Sequence, residues 1–321
     1  MRIWSNADFG PEAARLLERG TKGHTLVLSG SRNSSVLARG SRDPSIAGAD
    51  IAFGQPDPAD CMETPSLRWV EVSSAGYTRY DSPAFREALR SRGAVFTNAS
   101  QVYADACAEH VLAMMLALAR ELPASLATQL GDRAWNYQVR RDSSRLLRGQ
   151  TIVLLGFGAI GRRLAELLAP FQARVYAVRR QIRSEPGVHV VPESSLTKVL
   201  AEADHVVNLL PENEATLGFV NGRRIECFRK GARFYNIGRG PTVDQRALLE
   251  ALKSGRIGAA YLDVMVPEPL PPDDPLWTAP NCYITPHTAG GRNDTNIEII
   301  RHFLANLEAF EKAGAMTDRI V

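Results

Sequence analysis

Cysteine is scarce in this chain: Cys61, Cys107, Cys227 and Cys282 are the four among 321 residues. They lie far apart with no paired spacing, which argues against a zinc site and a disulfide framework. No metal is expected, and a reducing, cytoplasmic setting fits. An excess of charge is missing too. A net charge of +3 is too small to argue for nucleic acid or a membrane surface. Arg140, Arg141, Arg145 and Arg148 cluster without any nucleic-acid motif, so they read as a solvated loop or partner surface. Long hydrophobic runs are absent. The longest, Val111–Ala119, falls short of the roughly 20 residues that cross a bilayer. Met1–Ala7 lacks the apolar core of a signal peptide. Neither an internal repeat nor a low-complexity tract occurs, and 45% apolar with 23% charged residues is ordinary for a globular protein.

Against that plain background one motif stands out. Thr151–Leu155 reads as a buried strand, Arg162–Leu168 as a helix, and between them Gly156, Gly158 and Gly161 keep the spacing G-x-G-x-x-G. A strand, a glycine turn and a helix opening at that turn form an anion site for a pyrophosphate. Gly156 allows the tight turn, Gly158 lets phosphate approach the backbone, and Gly161 lets the helix pack on the strand. Ala159 and Ile160 complete the turn. The next strand, Arg174–Val178, ends in Arg179-Arg180, where a cofactor with a free ribose hydroxyl usually wants Asp or Glu. Two guanidinium groups suit a 2′-phosphate instead. The carboxylate that follows, Glu185, lies past the strand end. NADP(H) is therefore preferred, with NAD(H) as the other candidate.

Strands and helices alternate throughout, so the fold class is α/β with mostly parallel sheets. Thr25–Leu28, Ala49–Phe53, Trp69–Val72 and Ala94–Thr97 read as strands of a small first domain, with helices at Pro11–Arg19 and Ser82–Arg90. Gln101–Leu122 reads as one long helix ending before Pro123. Gly131–Gly149, with Trp135 and Tyr137, reads as an extended connection. Strands are expected at His205–Leu210, Arg233–Ile237, Gly258–Val264 and Asn281–Thr285. The helices predicted between them are Leu196–Ala201, Asn221–Phe228 and Gln245–Ser254. The last helix, Asn293–Lys312, has no strand after it and can return to the first domain.

Ligands of a doubly wound sheet sit at the carboxyl ends of its strands. Those ends carry Leu210-Pro211, then Ile237-Gly238-Arg239, then Asp263 with Glu268 soon after, and finally His287. One Arg, one Asp, one Glu and one His thus converge on the edge of the glycine turn. The set suits hydride transfer to a carbonyl, whose oxygen must receive a proton. His287 is the best donor, since an imidazole changes charge near neutrality. Glu268 beside it would orient the ring and favour imidazolium. Arg239 can bind a carboxylate or the carbonyl oxygen. Asp263 is expected to accept from the nicotinamide carboxamide. Clustered ionisable groups behind a dinucleotide turn favour a functional over a merely structural reading.

These residues resemble the D-isomer-specific 2-hydroxyacid dehydrogenases. The shared motifs are Ala108-Glu109-His110, the run Gly156–Gly161, Asn236–Asp244, Leu262–Val264 through Glu268-Pro269-Leu270, and Thr285–Gly290; the first hundred residues match mainly at Ser74-Ala75-Gly76. The resemblance implies that Arg239, Glu268 and His287 are the catalytic triad. It implies a substrate carboxylate held at Ser74, the N–H groups of Ala75 and Gly76, and Arg239, with Gly290 among the cofactor contacts. A Rossmann cofactor domain (99–288) would be inserted into a flavodoxin-like substrate domain (1–98 and 289–321), with hinges near Asn98 and Thr288. Members usually dimerise through the cofactor domain and its long helix, so a homodimer is expected. Arg179 departs from the Asp that many members carry, and Val266 from a frequent extra Glu. No regulatory domain is expected after residue 321, which points away from feedback-controlled phosphoglycerate dehydrogenases. Small NADP-linked glyoxylate and hydroxypyruvate reductases are the preferred likeness. The alternatives are a nucleotide-sensing corepressor branch and oxidation of another small acid, namely formate, phosphite or 3-phosphoglycerate. His110 reads as helix packing, and Trp135 of a neighbouring subunit is a candidate for the substrate pocket.

Overall fold

The computed structural model describes residues 1–33, 40–179 and 181–321. The chain divides into two compact units, Met1–Tyr103 with Arg292–Val321, and Ala104–Gly291. The second is one continuous segment between the two pieces of the first.

The first unit is built on strands β1 (Arg2–Ala7), β2 (Thr25–Asn33), β3 (Ile51–Gly54), β4 (Trp69–Val72) and β5 (Val95–Thr97). All pair in parallel in the order β2-β1-β3-β4-β5, the flavodoxin-like order. Both faces of such a sheet are covered, which is why β3 and β4 are buried at every position. The helix Pro83–Arg90 starts where the Ser82 hydroxyl accepts from the Phe85 N–H, and it buries Phe85 and Leu89 one turn apart. The last helix, Thr295–Glu311, buries Ile299, Ile300, Phe303 and Leu307. Phe303 stacks on Phe53 at 4.0 Å and on Trp69 at 5.1 Å, a burial worth about 2 kcal/mol for its ring alone. After it the chain end lies along β5: Ile320 N–H donates to the Phe96 carbonyl, and Thr97 pairs with Arg319.

Strand β1 is absent from the sequence reading because Ser5 and Asn6 interrupt its apolar pattern, although both are buried. A fully buried carboxylate, Glu71, anchors the same unit. It accepts from Thr97 Oγ1 (2.9 Å), Asn306 Nδ2 (2.8 Å) and His302 Nδ1 (3.1 Å), and His302 Nε2 lies 3.3 Å from Asp318. Burial alone would lower the His302 pKa, but the carboxylates of Asp318 and Glu71 outweigh it and raise it to about 9.

The second unit carries β6 (Thr151–Leu155), β7 (Arg174–Val178), β8 (Val188–Val191), β9 (His205–Asn208), β10 (Ala232–Asn236), β11 (Ile257–Leu262) and β12 (Cys282–Ile284). The order is β12-β11-β10-β9-β6-β7-β8, all parallel. This is the doubly wound Rossmann order with a seventh strand added, and its direction of winding reverses between β6 and β9. The apolar core combines Val206, Phe234, Ala260 and Leu262 of the sheet with Val199, Leu248 and Leu252 of flanking helices.

Two expectations are corrected here. The long helix stops at Ala119, and a second begins at Leu122 after Glu121 takes a left-handed conformation (φ 57°). Pro123 sits in the first turn of that second helix, where its missing N–H costs nothing. The stretch expected to be extended contains the helix Tyr137–Ser143. By length and composition alone Ser100–Ala119 could cross a bilayer, but half of it is buried inside the protein.

The Glu71–His302–Asp318 group has a pH signature. An unfolded histidine titrates near 6.5, so a folded value raised to about 9 gives stability that is complete below pH 6.5 and is lost as pH rises through 9. His302→Gln should therefore destabilise the protein by on the order of 2 kcal/mol at pH 6 and by little above pH 9.5. Denaturant titrations across that range test it; a constant difference between the two proteins would refute the assignment.

Candidate active site

The glycine turn lies at the point where the second sheet reverses direction. Gly156 has φ 93°, which side chains rarely adopt, and a Cβ there would meet the Leu209 backbone at 3.3 Å. Gly161 faces Gly156 O, Phe157 and Leu209 at 3.2–3.3 Å, so the helix Ala159–Leu168 can pack closely only without a side chain. Gly158 differs: it is exposed, and nothing lies within 4 Å of the place its Cβ would take. A pyrophosphate fits that opening, against the first N–H groups of the helix at Ala159 and Ile160. A cavity of about 560 Å³ adjoins it, lined by Phe157, Gly158, Arg179 and Gln181. Arg179 ends β7 as the sequence predicts, whereas Arg180 lies outside the described residues. Glu185, which the sequence leaves beyond the strand, turns back so that its Oε1 lies 3.2 Å from Arg179 Nη1 and 3.2 Å from Arg162 Nη2.

At the adjoining strand ends the backbone is held by buried amides. Asn208 Nδ2 donates to Asn236 Oδ1 (2.9 Å) and Thr242 Oγ1 (2.7 Å), and Thr242 Oγ1 donates to the Arg239 carbonyl (2.6 Å). The Leu210 N–H turns towards Asn208 Oδ1, ahead of exposed Pro211. Ile237 N–H donates to the Asn208 carbonyl, and a Cβ on Gly238 would lie 2.7 Å from the Leu210 carbonyl oxygen. Sequence reading gave Asn208 no role, and it noted Asn236 and Thr242 only as members of a shared motif. The available signal was polar residues ending otherwise apolar strands.

Arg239, Glu268 and His287 belong to this unit and come together. His287 Nδ1 lies 2.7 Å from Glu268 Oε2, and Glu268 Oε1 accepts from the Met265 N–H at 3.0 Å. Burial works to raise the Glu268 pKa, but the hydrogen bonds from His287 and Met265 and the charge of Arg239 hold it below the usual carboxylate value. Burial lowers the Arg239 pKa, opposed by the charges of Glu268 and Glu212. A guanidinium nonetheless keeps its proton at any working pH. Gln245 grips the Glu268 loop, exchanging hydrogen bonds with both the carbonyl and the N–H of Val266.

Asp263 follows directly on β11. It is 2% exposed and accepts from Thr285 Oγ1 (2.6 Å), Thr288 N–H (2.8 Å) and Ala289 N–H (3.0 Å). Its own carbonyl accepts from the His287 N–H at 2.9 Å. The carboxylate thus fixes the loop from Thr285 to half-buried Gly290, including His287 in its left-handed conformation (φ 54°). Cys107 is no competing nucleophile, because burial pushes its thiol up to about 12. His110 stacks on Tyr261 at 5.6 Å, a packing role. Among the described residues no group of three or more His, Cys, Asp or Glu could hold a metal ion.

In the first unit the loop after β4 is tied by its carbonyls. Ser74 O accepts from Ala99 N–H, Ala75 O from Asn98 Nδ2 (2.7 Å), and Gly76 O from Ser74 Oγ (2.6 Å). Among the described residues no acceptor meets the N–H groups of Ala75 or Gly76. Gln55 braces this loop through Ser73 Oγ and Ser74 Oγ. Successive N–H groups left open in a turn form an anion cradle.

Known proteins resemble this chain in sequence and in fold. The model of the D-isomer specific 2-hydroxyacid dehydrogenase NAD binding domain matches residues 112–289. An uncharacterized protein of the proB 3′ region of Corynebacterium melassecola is 33% identical over 284 residues, 86% of this chain and 89% of that protein. Glyoxylate/hydroxypyruvate reductase B of Yersinia pestis (strain Pestoides F) is 33% identical over 247 residues, 76% of this chain and 74% of its own. Among solved structures, a D-isomer specific 2-hydroxyacid dehydrogenase of Xanthobacter autotrophicus Py2, in complex with NADPH and MES, matches with TM-score 0.81 at 26% identity. The match covers 100% of this chain and 97% of that one.

Asp263→Asn offers an amide where three donors now meet two carboxylate oxygens. It should cost about 1–3 kcal/mol of stability in denaturant unfolding. An unchanged midpoint would show that the loop holds itself.

Proposed function

The chain belongs to the D-isomer specific 2-hydroxyacid dehydrogenase family and is an NAD(P)-dependent oxidoreductase; on that premise we propose that it reduces a short 2-oxo acid, glyoxylate or hydroxypyruvate, to the D-2-hydroxy acid with NADPH. The observation that carries this reading is the 2.7 Å contact between His287 Nδ1 and Glu268 Oε2 in the same unit as Arg239 and the glycine turn. A bound reduced nicotinamide supplies the hydride. His287, oriented through Nδ1, gives a proton from Nε2 to the carbonyl oxygen. Arg239 holds that oxygen or the neighbouring carboxylate and offsets the negative charge that develops there. The turn at Gly158 holds the pyrophosphate, and Arg179 receives the 2′-phosphate. Support for the phosphorylated cofactor comes from the Arg179-lined cavity and from the NADPH complex of the Xanthobacter protein.

The working unit in this reading is a homodimer. The helices Leu122–Leu130 and Tyr137–Ser143 bury no residue, and Leu130 (87% exposed) and Trp135 (92%) stand in water. Large apolar side chains exposed on helices that bury no residue point to an association site.

A panel of glyoxylate, hydroxypyruvate, pyruvate and phenylpyruvate with NADPH and NADH tests the reaction by absorbance. Glyoxylate or hydroxypyruvate with NADPH should give the highest kcat/KM, and absence of turnover with every oxo acid would reject it. His287→Ala should lower kcat by about 10²–10⁴, the usual worth of a general acid. Sedimentation should find a dimer for the native chain and a monomer for Leu130→Glu/Trp135→Asp; a native monomer would rule the assembly out.

A further inference from the structure

Arg179 is not left open at the end of β7. The segment after it folds back, Glu185 pairs with Val188 in an antiparallel bridge, and the Arg179 N–H donates to the Val191 carbonyl of β8. That turn places one carboxylate oxygen, Glu185 Oε1, at 3.2 Å from both Arg179 Nη1 and Arg162 Nη2. The Arg162 side chain comes from the helix that opens at the glycine turn, and its guanidinium lies 5.6 Å from the Phe157 ring. Phe157 and Arg179 both line the cavity beside Gly158. Two cations from different elements therefore share a single anionic oxygen at the mouth of the cofactor turn.

We propose that Arg162 and Arg179 form the clamp for the cofactor's 2′-phosphate, and that Glu185 is an internal anion standing in for it and setting the preference between phosphorylated and unphosphorylated dinucleotides. This rests on the reading that the site takes a nicotinamide dinucleotide. Arg162 carries no signal of such a role in sequence, because it follows the glycine motif instead of ending the second strand. The physical logic is a competition. A phosphate has enough oxygens to satisfy both guanidinium forks separately, whereas Glu185 shares one. With the phosphate in place, the Glu185 carboxylate meets a like charge and is displaced. With an unphosphorylated ribose it stays and neutralises the pair. Glu185 thus narrows the advantage that the arginines give to NADP(H).

The test uses the full chain and direct binding by calorimetry, with adenosine 2′,5′-bisphosphate and adenosine 5′-monophosphate as probes and NADPH as the complete ligand. Glu185→Gln should tighten the bisphosphate by about tenfold, the scale of one charge-assisted interaction, with a much smaller change for the monophosphate. Arg162→Ala should weaken the bisphosphate by about tenfold and flatten its salt dependence. Thermal unfolding of both variants, measured alongside, identifies any loss of fold. Tighter bisphosphate binding by E185Q together with selective loss in R162A supports the clamp. Equal effects on both nucleotides, or weaker bisphosphate binding by E185Q, overturn it. If the native chain binds the bisphosphate and NADPH but neither variant changes them, this inference alone falls. If the native chain binds neither, the cofactor reading falls as well.

Discussion

Much of the geometry around His287 depends on one buried carboxylate. Asp263 gathers a hydroxyl and two N–H groups from the loop after β12, and its carbonyl takes the His287 N–H. A left-handed conformation at a non-glycine residue persists only where its surroundings over-determine it. Here four hydrogen bonds converge around such a residue, and the imidazole they position is the one that meets Glu268. Arg239 is fixed by a parallel device, the amide chain of Asn208, Asn236 and Thr242, which ends on its carbonyl. Backbone placement comes first, and the side chains of Arg239 and His287 inherit it.

The parts most legible in sequence were those where chemistry and local backbone demand the same residues. Gly156, Gly158 and Gly161 encode a turn, an opening and a close contact, and each is found so. The strand ends bearing Arg239, Asp263 and His287 were legible because apolar runs mark strands and the residue after each run faces the ligand edge. Other features depend on distant partners and left little trace. Strand β1 hides behind buried Ser5 and Asn6. The helix at Tyr137–Ser143 lacks a buried face and hence the periodicity that reveals amphipathic helices. Glu185 reads as remote until the chain folds back, and nothing in sequence announces that the loop after β12 donates to Asp263.

The two units also treat buried histidine in opposite ways. His205 lies between Tyr235 OH (2.9 Å) and Gln150 Oε1 (2.5 Å), and burial with the Arg233 charge lowers its pKa to about 3. It is a neutral strut. His302, between two carboxylates, is a charged one. Neutral partners leave desolvation to decide the first, whereas two negative charges override it in the second.

Residues 319–321 along β5 bear on self-association. A strand with one flank unpaired invites association through its free backbone groups. Here Arg319, Ile320 and Val321 cover that flank of β5. Without the pairing of residues 319–321, that flank would be a sticky seam. Three residues outside the site thus guard the first sheet against aggregation.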